Sequence, residues 1–135
     1  MKIISKLTVL LLFAFSFKVH AQLDTLNYVK QFETNKAQYI NKPFSYLLSQ
    51  ITQIQPTSHW ADSPPQNKTI VKSSQFLFCN MKYIGNRVVV LTIIWQDPFP
   101  KSDVKYLQNK NGYYFTNEEK TFYANKIVKD ILVYK

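Results

Sequence analysis

Two long runs of apolar, aromatic and β-branched residues, 71–84 and 87–96, stand back to back around Gly85-Asn86. Their composition is that of strands. Glycine at the first central position suits a two-residue type II′ turn, whose twist matches the strands it joins. Such a turn sets the register: Ile84 opposite Arg87, Cys79 opposite Thr92, Phe78 opposite Ile93 and Phe76 opposite Trp95. One side of the ribbon then carries Phe76, Phe78, Ile84, Val89, Leu91, Ile93 and Trp95. The other carries Leu77, Cys79, Met81, Tyr83, Val88, Val90 and Ile94. Both sides are apolar, and neither can be left in water without exposing a large patch. Helices must cover one; the rest of the chain or a second copy must cover the other.

The cover for the first side lies upstream. Asp24 can cap a helix over 25–36, with Leu26, Val29 and Phe32 on one stripe. Pro43 suits the first turn of a second helix, because its missing N–H is no loss there. Phe44, Leu47, Leu48 and Ile51 follow at helical spacing and make one apolar face. The segment 54–60 reads as a short strand that Pro56 confines to an edge, and 61–68 as a loop. After the hairpin, Asp97-Pro98-Phe99-Pro100 reads as a strand end, since proline cannot donate to a ladder. Ser102 or Asp103 can cap a short helix to about Gln108, with a turn over 109–112. Asn117, with Glu118 and Glu119 at the positive end of the helix dipole, starts another. A strand over 127–134 closes the chain. The expectation is an α+β fold: an antiparallel sheet with a central hairpin, two N-terminal helices on one face, short C-terminal helices and a final strand.

Lys2 and Lys6, the apolar run 7–17 and the small residues around Val19-His20-Ala21 form the pattern of a signal peptide cleaved before Gln22. The run falls short of the roughly 20 apolar residues of a membrane span, and Lys18 interrupts it, so no stable membrane anchor is expected. Residues 1–21 are thus read as a signal peptide and 22–135 as one secreted or periplasmic domain. The formal charge is +9, and three of its lysines leave with the leader. The remaining lysines are dispersed, and Arg87 is the sole arginine. Specific nucleic-acid binding, which concentrates charge and favours Arg, is not expected.

Few residues offer chemistry. Cys79 is the single cysteine, so no disulfide can form within the chain. Outside the leader His59 is the only histidine, too few for a zinc site of three or four ligands. Gly85 and Gly112 are the only glycines, so no glycine-rich phosphate loop exists. No cofactor is expected. A hydrolase would have to pair His59 with Cys79 or Asp97, although a cysteine in mid-strand is more simply a small buried hydrophobe. Of the candidate carboxylates Asp62, Asp97, Asp103, Glu118 and Glu119, only the last two are neighbours, and they serve a helix start. Aromatic residues are the most suggestive group. Trp95 belongs to the core face, whereas His59, Trp60, Asp97 and Phe99 gather at strand ends and are the candidate ligand contacts. Tyr113-Tyr114-Phe115 occupies a loop. These features favour a non-catalytic binding or interaction module for a protein or small-molecule ligand. The alternatives are a small secreted hydrolase built on His59 and a structural homodimer joined through the second side of the hairpin.

Three segments, YINKPFSYLL (39–48), IGNR (84–87) and KIVKD (126–130), resemble small exported bacterial proteins of unknown function. The resemblance implies export and brings no activity or site. Intact mass of protein recovered from its native compartment should correspond to a chain beginning at Gln22; a chain retaining Met1 would refute the leader.

Overall fold

Apolar residues at three- and four-residue intervals decide where the N-terminal helices face the sheet. The computed structural model describes residues 23–79 and 88–135; the expected leader and the expected Gly85-Asn86 turn lie outside the described residues. Helix α1 spans Thr25–Thr34, and Asp24 caps it by accepting from the Asn27 N–H at 3.2 Å. It ends earlier than expected, at Asn35, and a 3-10 turn over Lys36–Gln38 follows. Helix α2 spans Phe44–Gln50. Pro43 stands just ahead of it in an extended conformation rather than in its first turn, because the chain there bridges to Ile127. Val29, Phe32, Phe44, Leu47 and Ile51 are all buried.

Four antiparallel strands, β1 (Ser58–Asp62), β2 (Ile70–Phe78), β3 (Val89–Pro100) and β4 (Val128–Tyr134), form a sheet in the order β1-β2-β3-β4. β1 is the edge strand expected from Pro56, but it starts two residues after that proline and runs on through Ala61-Asp62. The β2–β3 register differs from the two-residue-turn expectation. Phe78 faces Val89 rather than Ile93, Phe76 faces Leu91 rather than Trp95, and Thr92 faces Gln75 rather than Cys79. The displacement is four residues, an even number. An even slip keeps every side chain on its own face, so the expected core side survives: Phe76, Phe78, Val89, Leu91, Ile93 and Trp95 are all buried.

β3 does not stop at Pro98. Pairing with β2 resumes beyond it, with Val71 against Phe99 and Ile70 against Pro100, after a bulge that interrupts the ladder between Ile94 and Phe99. Proline is tolerated in a bulge because no ladder bond is needed there. Gln96 instead donates its N–H to the Ile127 carbonyl at 2.9 Å, on the β4 side. Helix α3 (Lys101–Asn111) follows at once, with Pro100 at its N-cap and no capping side chain, so neither Ser102 nor Asp103 caps it. It also absorbs most of the expected 109–112 turn, ending at Gly112 in the left-handed conformation. Helix α4 (Asn117–Tyr123) carries a capping box formed by Thr116 and Glu119.

The four helices of the described residues all feed one core cluster, through Val29 and Phe32, Phe44 and Leu47, Val104, and Tyr123. The opposite sheet face carries Trp60, Val90, Ile94, Leu132 and Tyr134, of which Trp60, Leu132 and Tyr134 are exposed. Among the described residues no helix is long and apolar enough to cross a membrane. Phe44 sits at the middle of the core, stacked on Phe76 at 4.7 Å and edge-on to Trp95 at 5.4 Å. Phe44→Ala should lower stability by about 3–5 kcal/mol, read as the shift of the urea unfolding midpoint; a loss below about 1 kcal/mol would contradict this packing.

Candidate functional site

The side chains that could do chemistry separate into a buried chain of hydrogen bonds and an open groove. The chain begins at Trp95 on β3, whose Nε1–H donates to the Ser74 hydroxyl on β2 at 2.9 Å. Ser74 lies 3.5 Å from the Tyr123 hydroxyl on α4, and Tyr123 lies 3.2 Å from His59 Nδ1 on β1. An indole can only donate. Ser74 therefore accepts from Trp95 and donates to Tyr123, while the direction of the bond between Tyr123 and Nδ1 follows the imidazole tautomer. Nε2 on the far side of the ring faces Glu119 Oε1 at 3.9 Å, too far for a hydrogen bond, and has no partner among the described residues.

Glu119 is held from the other side. Its Oε1 accepts from Asn111 Nδ2 at 2.7 Å, and its Oε2 accepts from the Thr116 N–H at 2.9 Å and from the Thr116 hydroxyl. Burial alone would raise the carboxyl's pKa, but these bonds outweigh burial and keep it below the usual value. Burial pushes the Tyr123 phenol up and His59 down, Glu119 opposing the latter only in part. His59, Ser74, Tyr123 and Glu119 are essentially inaccessible to solvent. A chain of hydrogen bonds running from Trp95 through Ser74 and Tyr123 to His59, sealed from any substrate, ties β1, β2, β3 and α4 together.

The expected contact residues do not share one surface. His59 belongs to the buried chain. Phe99 is buried against Trp95, Phe122 and Tyr123, with the Lys126 ammonium 3.9 Å from its ring centre. Asp97 is exposed on the β3 bulge. Trp60 is exposed on the outer face and stacks on Tyr113 at 4.5 Å. Among the described residues no hydrogen bond joins His59 to Cys79 or Asp97, and no three His, Cys, Asp or Glu side chains cluster closely enough to hold a metal ion.

The Trp60–Tyr113 stack secures a strap along the β1 edge. Tyr113 accepts from the His59 N–H at 3.1 Å, Tyr114 bridges to Ser58, and Phe115 donates to the Thr57 carbonyl at 2.9 Å. Tyr113 itself has φ +64°, a left-handed conformation that a bulky residue adopts only at a cost of about 1–3 kcal/mol. The stack and the backbone bond hold it there. Behind the strap opens a groove of about 590 Å³ lined by Ile54, Pro56, Thr57, Phe78, Cys79, Tyr114 and Phe115. Cys79 is half-buried in its wall, just past the end of β2, rather than in mid-strand. Thr57 Oγ1 bonds to the Leu77 carbonyl at 3.1 Å and to the Cys79 backbone, so its hydroxyl is already engaged. The aromatic loop 113–115 signals part of this site in the sequence. Its apposition to Ile54–Thr57 depends on the strap alone.

No family model matches the chain, and no curated protein or solved structure matches it either.

His59 gives the fold a particular acid sensitivity. Its folded-state pKa lies below the unfolded value of about 6.5. The fold thus favours neutral imidazole: stability is complete above about pH 6.5 and falls as the unfolded chain takes up the proton, by at most about 1.4 kcal/mol per pH unit. The lowered carboxylates Glu33, Glu119 and Asp130 contribute their own loss only at lower pH, around and below their unfolded-chain values of 4.5, 4.5 and 3.8. Urea unfolding between pH 7.5 and about 5 should show this slope, and His59→Gln should flatten it. A slope unchanged in the variant would assign it elsewhere.

Proposed function

We propose that this is an exported binding module that holds a small apolar or aromatic ligand in the groove behind the strap and catalyses no reaction there. The observation that carries the reading is the groove's lining: three aromatic rings, Ile54 and Pro56, with the Cys79 thiol and the Tyr114 phenol as the only ionisable groups among the described residues. Its volume of about 590 Å³ lies in the range of small-molecule sites, which are mostly apolar with a few polar groups that orient the ligand. Tyr114, half exposed, offers a ring face and a hydroxyl at the rim. A hydrolytic reading would need a base beside the thiol, and His59 is committed to Tyr123 within the core. Export rests on the leader pattern at Lys2–Ala21; with a single cysteine in the chain, stability falls to the aromatic core rather than to intrachain disulfides.

Anilinonaphthalene sulfonate, an apolar aromatic probe, tests the groove. It should bind saturably at one site, and Tyr114→Ala should weaken it by about tenfold, or about 1.4 kcal/mol. Iodoacetamide can alkylate only Cys79, and the modified protein should lose the site. Binding that neither change affects would rule the groove out.

A further inference from the structure

We propose that Lys30 and Glu33 of α1 guard the β4 edge, keeping it from pairing with β4 of a second copy of this chain. Among the described residues β4 is the outermost strand opposite β1, so one row of its backbone groups has no strand neighbour there. An open edge is a template for strand addition. Ile131-Leu132-Val133-Tyr134 is uncharged, apolar and rich in β-branched and aromatic residues, the composition that self-associates as strands most readily.

The structure occupies this row with other groups. The Val133 N–H donates to Glu33 Oε1 at 3.1 Å, and the Val133 carbonyl accepts from Lys30 Nζ at 2.9 Å. Lys30 and Glu33 are themselves ion-paired. The Ile131 N–H donates to Asp130 Oδ1 at 2.8 Å, a carboxylate that Lys36 Nζ holds at 2.7 Å. Val128 is taken up by the backbone, donating to the Lys42 carbonyl at 3.0 Å and accepting from the Asn41 N–H at 2.8 Å. Hydrogen bonds to charged groups are the strong ones, and here they consume the donors an incoming strand would require.

The occupant excluded is another β4. Antiparallel pairing about a two-fold axis at Leu132 would set Ile131 of one copy against Val133 of the other, the self-complementary arrangement of a symmetric dimer. Leu132, exposed at 39 %, would meet its counterpart across that junction, and Tyr134, exposed at 46 %, would face Asp130 of the second copy. Lys129 and Lys135 bracket the apolar stretch, as charges flanking an aggregation-prone strand commonly do.

Sedimentation of the purified protein and of its K30M/E33L variant tests the guard, with far-UV circular dichroism reporting the fold. Relative to the unmodified protein, the variant should self-associate more tightly by on the order of tenfold or more. Adding Leu132→Lys places like charges opposite each other at the two-fold axis and should reverse the gain. A folded double variant with unchanged association would overturn the proposal, as would association that Leu132→Lys leaves intact. Should the double variant lose its fold, Lys30→Met alone decides. Its side chain is 48 % exposed, and folded protein without increased association would count equally against the guard.

Discussion

Trp95 and Tyr123 are buried flat against each other, ring centres 5.5 Å apart and planes 16° from parallel, and each carries a polar atom into the core. An unsatisfied buried N–H or O–H costs on the order of a few kcal/mol. Much of the architecture follows from meeting that demand. Ser74 must lie on the core face of β2 to accept from the indole, and His59 must lie on the core face of β1 to bond to the phenol. A slip of one residue in β2 or β1 would turn either group outward. The hydrogen-bond chain thus fixes strand alternation more strictly than apolar burial does, and it anchors α4 to the sheet through Tyr123.

The two sheet edges are closed by different chemistry. At β1 the strap 113–115 supplies backbone partners, at the expense of a left-handed Tyr113 that Trp60 steadies by stacking. At β4 the partners are charged side chains from α1 and from Asp130, with a short backbone contact at Asn41-Lys42. Asn41 also takes positive φ, +67°, which asparagine tolerates better than most residues. Strain at these two positions is what lets the chain lie along its own sheet edges. The groove is a by-product of the β1 solution, because the strap that closes the edge also raises Tyr114 as a wall.

Particular elements show how far the sequence could be read. The spacing of Phe44, Leu47 and Ile51 and the alternation through Phe76, Leu91, Ile93 and Trp95 placed the correct side chains in the core, because periodicity records burial directly. The strand pairs were misjudged: pairing among the described residues is displaced by four residues from the expected register, and an even slip keeps the same faces buried, so the apolar pattern alone does not choose between the two. Pro98 misled for a related reason. In one dimension a proline marks a strand end, whereas a bulge lets the strand pass through it to Pro100. His59 was visible as the lone histidine, but its partners Tyr123 and Glu119 lie some sixty residues downstream, and no local pattern links them.

The amino-acid order by itself determined the α+β composition, the faces of the helices and strands, and the scarcity of reactive groups. Each of these depends on residue type and short-range spacing. Register, the bulge, the closed edges and the groove were decided only in three dimensions. They arise from hydrogen bonds between distant segments, where one backbone group competes among several partners and the choice depends on which pairing leaves the fewest polar atoms buried alone.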